Sequence, residues 1–166
     1  MNIRYESISD VASIEAITEE AFRATPHTGH TEQFIVNALR KAGKLTISLV
    51  AEIENKLVGH VAVSPVGISD GSRGWYGLGP ISVLPEYQRK GVGTRLMEKA
   101  IEELRHSGAS GCVLLGDPQF YSRFGFKVMP NLVLTDVPPE YFQVLPFTSE
   151  IPAGEVTYHE AFNAQS

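Results

Sequence analysis

The chain has 166 residues, room for one domain with a sizeable core, and 43% of them are apolar, an ordinary share for a water-soluble fold. Its net charge of −5 argues against general nucleic-acid binding, and no apolar run approaches the roughly 20 residues of a membrane span. Cys112 is the only cysteine, which excludes an intrachain disulfide, and the amino terminus lacks a signal peptide's apolar stretch, so a cytoplasmic location is expected.

Ile3, Tyr5 and Ile8 predict a short first strand. Ser9 or Asp10 can cap a helix that turns Val11, Ile14, Ile17, Ala21 and Phe22 inward. A polar turn with Pro26 and Gly29 leads to a second helix from about Thr31, which Gly43 stops. Residues 45–53 and 57–66, joined by Glu54-Asn55-Lys56, predict a hairpin, and residues 75–83 predict the next strand. A third helix carries Leu96, Met97, Ala100, Ile101 and Leu104 on one face. Residues 112–115 predict a short buried strand, and Asp117-Pro118 opens a short helix reaching Phe124. Residues 126–129 are expected to begin a further strand. The stretch 130–154, with Pro130, Pro138, Pro139, Pro146 and Pro152, reads as irregular, and residues 156–158 as a final strand. This order predicts an α/β fold in a single domain over 1–166: one mixed, largely antiparallel central sheet flanked by helices.

The segment between the strand expected at 75–83 and the helix after it is the most informative. An apolar run ends at Pro85; Gln88, Arg89 and Lys90 follow, then Gly91, Val92, Gly93 and Thr94. A tight glycine-bearing turn into a helix start aims free backbone N–H groups and the positive end of the helix dipole at one point, which suits a phosphate or pyrophosphate. The Walker pattern is excluded because Thr94 follows Gly93 with no lysine between them. The dinucleotide pattern is excluded because Leu96 takes the third glycine's place and Gly111 stands where an acidic residue belongs.

The spacing that matches is Gln-x-x-Gly-x-Gly, at Gln88, Gly91 and Gly93. Together with Val83-x-Pro85 it resembles the acyl-CoA loop of the GNAT superfamily of N-acetyltransferases. About thirty residues on, Phe120-Tyr121-Ser-Arg-Phe-Gly125-Phe126 resembles the family's Tyr-x-x-x-Gly-Phe element. The ending, Tyr158-His159-x-Ala161-Phe162, is similar to one bacterial branch of uncharacterised GNAT proteins. The resemblance implies the acyl-CoA N-acyltransferase fold, with the sheet splayed at the strand before the glycine loop. It implies acetyl-CoA as co-substrate, with Gln88, Arg89, Lys90, Gly91, Val92, Gly93 and Thr94 around its pyrophosphate. Backbone groups of the segment Ile81, Ser82 and Val83 would lie beside its pantetheine arm. Gly79-Pro80 interrupts that strand, and a proline there marks an edge or bulge.

Acetyl transfer from a thioester to an amine requires the donor to be held and its carbonyl polarised. The amine must lose a proton, and the leaving thiolate must gain one. Tyr121 is the candidate acid: a phenol with a pKa near 10 is protonated at neutral pH and can serve a thiolate whose conjugate acid lies near 8.5. The base stays open among Glu20, His27, His30, Glu32, His60 and a chain of waters. His27 and His30 lie between the first two helices, where the resemblance implies that the acceptor enters, and they are the candidate substrate-binding residues. The plainer alternatives are solvated loop histidines, a core tyrosine among phenylalanines and a buried strand cysteine at Cys112. No Cys/His cluster suggests a metal. The expected activity is N-acetyl transfer to a primary amine by direct attack in a ternary complex, with a non-catalytic acyl-CoA sensor of the same fold as the rival. The acceptor, a small molecule or a peptide, is not specified, nor is the preferred acyl length; no nucleic-acid or membrane partner is expected. A homodimer is compatible with the sequence but not specified by it.

Overall fold

The computed structural model describes residues 1–26 and 28–166. Its order is β1 (Asn2–Tyr5), α1 (Val11–Arg23), α2 (Glu32–Lys41), β2 (Ile47–Ile53), β3 (Lys56–Ile68) and β4 (Trp75–Val83), then α3 (Val92–His106), β5 (Gly111–Leu115) and α4 (Pro118–Tyr121). It ends with β6 (Leu132–Val133), β7 (Phe142–Pro146) and β8 (Gly154–Tyr158). The strands lie in the spatial order β1-β2-β3-β4-β5-β7, and β8 joins the far end of β3 and pairs with β6. All pairs are antiparallel except β4 with β5 and β6 with β8. The mixed, largely antiparallel α/β sheet expected from the element order is therefore what forms.

Local chemistry accounts for the elements. Ser7 and Asp10 cap one another ahead of α1: the Ser7 N–H and hydroxyl both donate to Asp10, at 2.7 and 3.1 Å. Glu54 and Asn55, with φ of 49° and 65°, form the two-residue loop that turns β2 into β3, a geometry that matches the twist of a hairpin. Asp117 caps α4 by accepting from the Gln119 N–H at 2.9 Å. α3 lies on one face of the sheet, burying Val92, Leu96, Met97, Ala100 and Leu104. A Cβ at Gly59 would stand 3.0 Å from Val92 and 3.1 Å from Leu96, so this glycine lets the start of α3 close onto β3. On the opposite face Ile14 of α1 and Val36 of α2 pack with Val50 and Ala62. Among the described residues no helix is long and apolar enough to cross a membrane.

Two expectations fail in the carboxy-terminal third. Residues 126–129 do not form a strand: Lys127 makes one isolated bridge to Val144. The stretch 130–154 is not simply irregular, because β7 runs through it and pairs along the whole of β5. Phe142, Gln143, Val144 and Leu145 are all buried, so β7 shows no polar-apolar alternation. Gln143 conceals it further; its side chain is buried because its amide donates to the Gly116 carbonyl at 3.0 Å.

Candidate active site

The site is built on β4. Val61 pairs with Ile81 and Val63 with Leu78, so Gly79 and Pro80 together oppose Ala62. That extra residue is a β-bulge, where the sequence places a proline that cannot donate to a ladder. On its other side β4 pairs with β5 only through Trp75, Tyr76 and Gly77, the last pair being Gly77 with Val113. Beyond it the two parallel strands diverge, and the β5-facing edge of residues 78–83 has no strand partner.

Register decides which backbone groups face that opening. The Leu84 N–H donates to the Val58 carbonyl at 2.9 Å, and the same register pairs Ser82 with His60. In an antiparallel ladder alternate residues carry the bonds. Leu84 and Ser82 therefore spend their backbone groups on β3, while Ile81 and Val83 turn theirs toward the opening. Ser82, expected beside the donor with its neighbours, offers it no backbone group. Its side chain is buried on the opposite face, toward α1 and α2.

The glycine loop forms one lip. Arg89 and Gly91 both adopt left-handed backbone, with φ of 64° and 86°. The first bond of α3 runs from the Arg95 N–H to the Gly91 carbonyl at 3.1 Å, so the Val92, Gly93 and Thr94 amides have no carbonyl a turn earlier. Left-handed residues ahead of a helix start gather successive N–H groups into an anion-binding concavity. Gly91 is exposed, and a Cβ there would meet nothing within 4 Å, so the space over the loop is open. Arg89 and Lys90 are exposed, and Lys90 lies 5.7 Å from the centre of the Tyr87 ring. Gln88 does something different from its neighbours. Its side-chain amide donates to the Val83 carbonyl at 3.0 Å and so ties the loop back to β4.

The other lip follows β5. Tyr121 ends α4, half-buried, with its ring closed against Gly116, where any Cβ would collide with it. Phe120 meets it edge-on at 4.8 Å, and Phe126 stands at 6.4 Å. Among the described residues its hydroxyl has no hydrogen-bond partner. Burial, reinforced by the Asp117 carboxylate, pushes its pKa up to about 12, so the phenol keeps its proton at any working pH. Phe120 also reaches across the opening: a Cβ on Gly93 would lie 3.7 Å from its Cζ.

Arg123 joins the two lips and was not among the expected residues. Its Nη2 donates to Thr94 Oγ1 at 3.3 Å, and its guanidinium stands 5.2 Å from the Phe120 ring centre. It occupies a variable place inside Tyr-x-x-x-Gly-Phe, so only its charge beside that element could have pointed to it.

The candidate bases separate. Glu20 is exposed on α1. His30 is exposed with φ of 56°, and its N–H donates to Thr28 Oγ1 at 3.2 Å. His27 lies outside the described residues. Glu32 opens α2 with one buried carboxylate oxygen that has no partner among the described residues. His60 is fully buried on the face under α1 and α2; burial first, then the Arg40 charge, lower its pKa, which Glu6 raises in part, to about 4. Cys112 is buried, and burial pushes its thiol well above the usual range, which removes the thiolate that a covalent acyl-cysteine route requires.

Comparison with known proteins adds the family. The model of the acetyltransferase (GNAT) family matches residues 11–126. The uncharacterized N-acetyltransferase YhbS of Escherichia coli strain K12 is 34% identical over 98% of this chain and 99% of its own. A GNAT family acetyltransferase from Brucella melitensis, solved in complex with acetyl-CoA, is 47% identical with a TM-score of 0.87 over 97% of both chains. E. coli YhbS in complex with CoA superposes with a TM-score of 0.89 at 31% identity, over 99% of this chain and 93% of that one. Two glycine-anchored motifs in the expected order, a splayed β4–β5 pair and these full-length relatives agree: the chain belongs to the GNAT family of acetyltransferases.

Proposed function

We propose that the protein transfers an acetyl group from acetyl-CoA to a primary amine by direct attack within a ternary complex. The observation that carries this reading is the parting of β4 from β5 beyond Gly77 and Val113, with free helix amides on one lip and Tyr121 on the other. Two relatives above 30% identity crystallised with acetyl-CoA or CoA support it.

The residues present fit that co-substrate. The Val92, Gly93 and Thr94 amides, with Gly91 leaving the approach open, would hold the pyrophosphate, and Arg89, Lys90 and Arg123 would add positive charge around it. Gln88 would act on the loop rather than on the ligand, by pinning it to the Val83 carbonyl. Ile81 and Val83 would offer backbone groups to the pantetheine arm. The Ile81 N–H next to the bulge would polarise the thioester carbonyl, because a fixed donor in a water-poor cleft favours developing negative charge. The co-substrate supplies the activated acyl group and a good leaving thiolate. Tyr121, held protonated by burial, would donate its proton to that sulfur.

The test is an acetyl-CoA turnover screen read by free thiol release. The amines are spermidine, an aminoglycoside, a lysine-bearing peptide and a peptide with a free amino terminus. Release above the amine-free rate with at least one of them is expected. Tight acetyl-CoA binding with no release across a wide panel would favour the sensor reading instead.

A further inference from the structure

One buried polar chain is left over once the co-substrate cleft is described, and it lies on the opposite face of β4. Arg40 of α2 donates to both carboxylate oxygens of Glu6, at 2.9 and 2.8 Å. The Ser48 hydroxyl donates to the same carboxylate in a short hydrogen bond. Ser48 Oγ is in turn 2.8 Å from His60 Nε2. These contacts determine a tautomer. A carboxylate only accepts, so the Ser48 proton points at Glu6; Ser48 Oγ must then accept, and His60 carries its proton on Nε2. Nδ1 is left as a bare lone pair. It is buried, and among the described residues no group donates to it.

Its surroundings give that lone pair a direction. Ser82 is the residue paired with His60 across β3 and β4, and side chains of directly opposed residues share a face about 5 Å apart. Ser82 Oγ is likewise buried without a partner. Ser82 directly follows Ile81, whose N–H borders the cleft. Two orphaned polar atoms side by side are rare, because each costs roughly 1–3 kcal/mol when left unpaired. Both lie on the α1/α2 side of β4, one residue along the strand from the Ile81 N–H that borders the cleft.

We propose that Ser82, His60, Ser48 and Glu6 form the proton path that serves the attacking amine, a role that rests on the acetyl-transfer reading. As the amine nitrogen forms its C–N bond it carries a surplus proton. Ser82, reached through water admitted from the cleft, accepts it and, with its hydroxyl turned toward Nδ1, protonates His60. His60 passes its Nε2 proton to Ser48, and Ser48 passes its own to Glu6. The C–S bond breaks, and the sulfur takes the Tyr121 proton. Glu6, whose side chain is 18% exposed, releases its proton to solvent, from which Tyr121 is reprotonated. One C–N bond forms, one C–S bond breaks, and no proton is gained or lost overall. The path also gives Ser82 a reason to be a serine in an otherwise apolar strand.

Two measurements test this. The first needs no acceptor: long-range proton–nitrogen correlation on 15N-histidine-labelled protein saturated with CoA. A neutral His60 protonated on Nε2 at pH 7 is expected; protonation on Nδ1, or an imidazolium, overturns the path. The second is stopped-flow thiol release with the fastest amine of the panel. His60→Gln should lower kcat roughly 10²-fold, the low end for assisted proton transfer, with acetyl-CoA affinity unchanged. Ser82→Ala and Ser48→Ala should lower kcat in the same direction, and the wild-type solvent isotope effect on kcat should change in all three. A loss of melting temperature with unchanged kcat and isotope effect would assign the chain to structure alone and overturn the path. Wild-type protein that releases no thiol with any amine overturns both readings; full turnover by folded His60→Gln overturns only this one.

Discussion

The two faces of β4 solve different problems with different materials. Toward β5 and the start of α3 the site is made of backbone: free amides, left-handed turns and a strand edge exposed by a bulge. Toward α1 and α2 it is made of side chains: Ser82, His60, Ser48 and Glu6 in a row, closed by Arg40. The backbone side is open to solvent and would need no titratable group to hold a dianion, because helix-start amides carry their partial charge at every pH. The side-chain side is largely buried, so each of its polar atoms has to be paired, relayed or left at a cost. On the proposed reading, changes on the first face should alter binding without touching protons, and changes on the second should alter proton handling without touching binding.

Four predictions break or sharpen that contrast. The largest effect belongs to the side-chain face and is read in acid. His60 has a folded pKa near 4 against an ordinary 6.5, so below pH 6.5 the unfolded chain takes up a proton that the folded one refuses. Stability is therefore fully present above about pH 6.5 and is lost as pH falls toward 4, by about 3 kcal/mol in urea titrations. His60→Gln should abolish that window. It should leave the lower one, between about pH 3.8 and 2, which belongs to Asp10 held down by its hydrogen bond from Arg4. A wild type whose stability is flat from pH 6.5 to 4 would refute the buried neutral imidazole.

Next in size is chemistry at the β5 lip. Tyr121→Phe keeps the ring against Gly116 and removes only the hydroxyl. It should lower kcat roughly 10²-fold with acetyl-CoA affinity nearly intact. Equal kcat, with chemistry rate-limiting, would reduce Tyr121 to packing between Phe120 and Phe126.

Gly91→Glu attacks the open face. The added side chain has room, since no atom lies within 4 Å of its Cβ, so the fold should survive. The left-handed φ and the negative charge should weaken acetyl-CoA binding about tenfold, or roughly 1.4 kcal/mol by calorimetry. His60 should keep its tautomer in this variant.

The smallest effect is expected from Arg123→Ala. An exposed guanidinium contributes roughly 0.2–1 kcal/mol, so acetyl-CoA affinity should fall by no more than about fivefold and kcat should hold. If instead the loss is a hundredfold, Arg123 is a principal ligand rather than an added charge.

How much of this was legible in the residues follows from how local each feature is. The glycine loop was readable because a turn, a helix start and an anion cradle are written within seven consecutive residues, Gln88 to Thr94. The bulge was readable because proline cannot donate to a ladder. Tyr121 was readable from its place in a spaced motif, though its raised pKa depends on burial that no local pattern states. Ser82 was grouped with Ile81 and Val83 because they adjoin, and only the register with β3 turns its backbone away. β7 escaped notice because a strand buried on both faces has no alternation to read, and Gln143 looked polar for want of knowing that the Gly116 carbonyl accepts from it.

By itself, then, the amino-acid sequence determined the family, the element order as far as α4 and the glycine-bearing turn into α3, all products of short-range geometry and residue spacing. Tertiary structure alone decided which histidine is buried in a polar chain. His60 is one of several candidates in the chain, and nothing adjacent to it, from Val58 to Ala62, marks it. Its chemistry comes from residues 12, 22 and 54 positions away, Ser48, Ser82 and Glu6, which the pairing of β2, β3 and β4 and the docking of α2 bring together. The polar chain is a set of contacts between distant segments, and such contacts exist only once the sheet has closed.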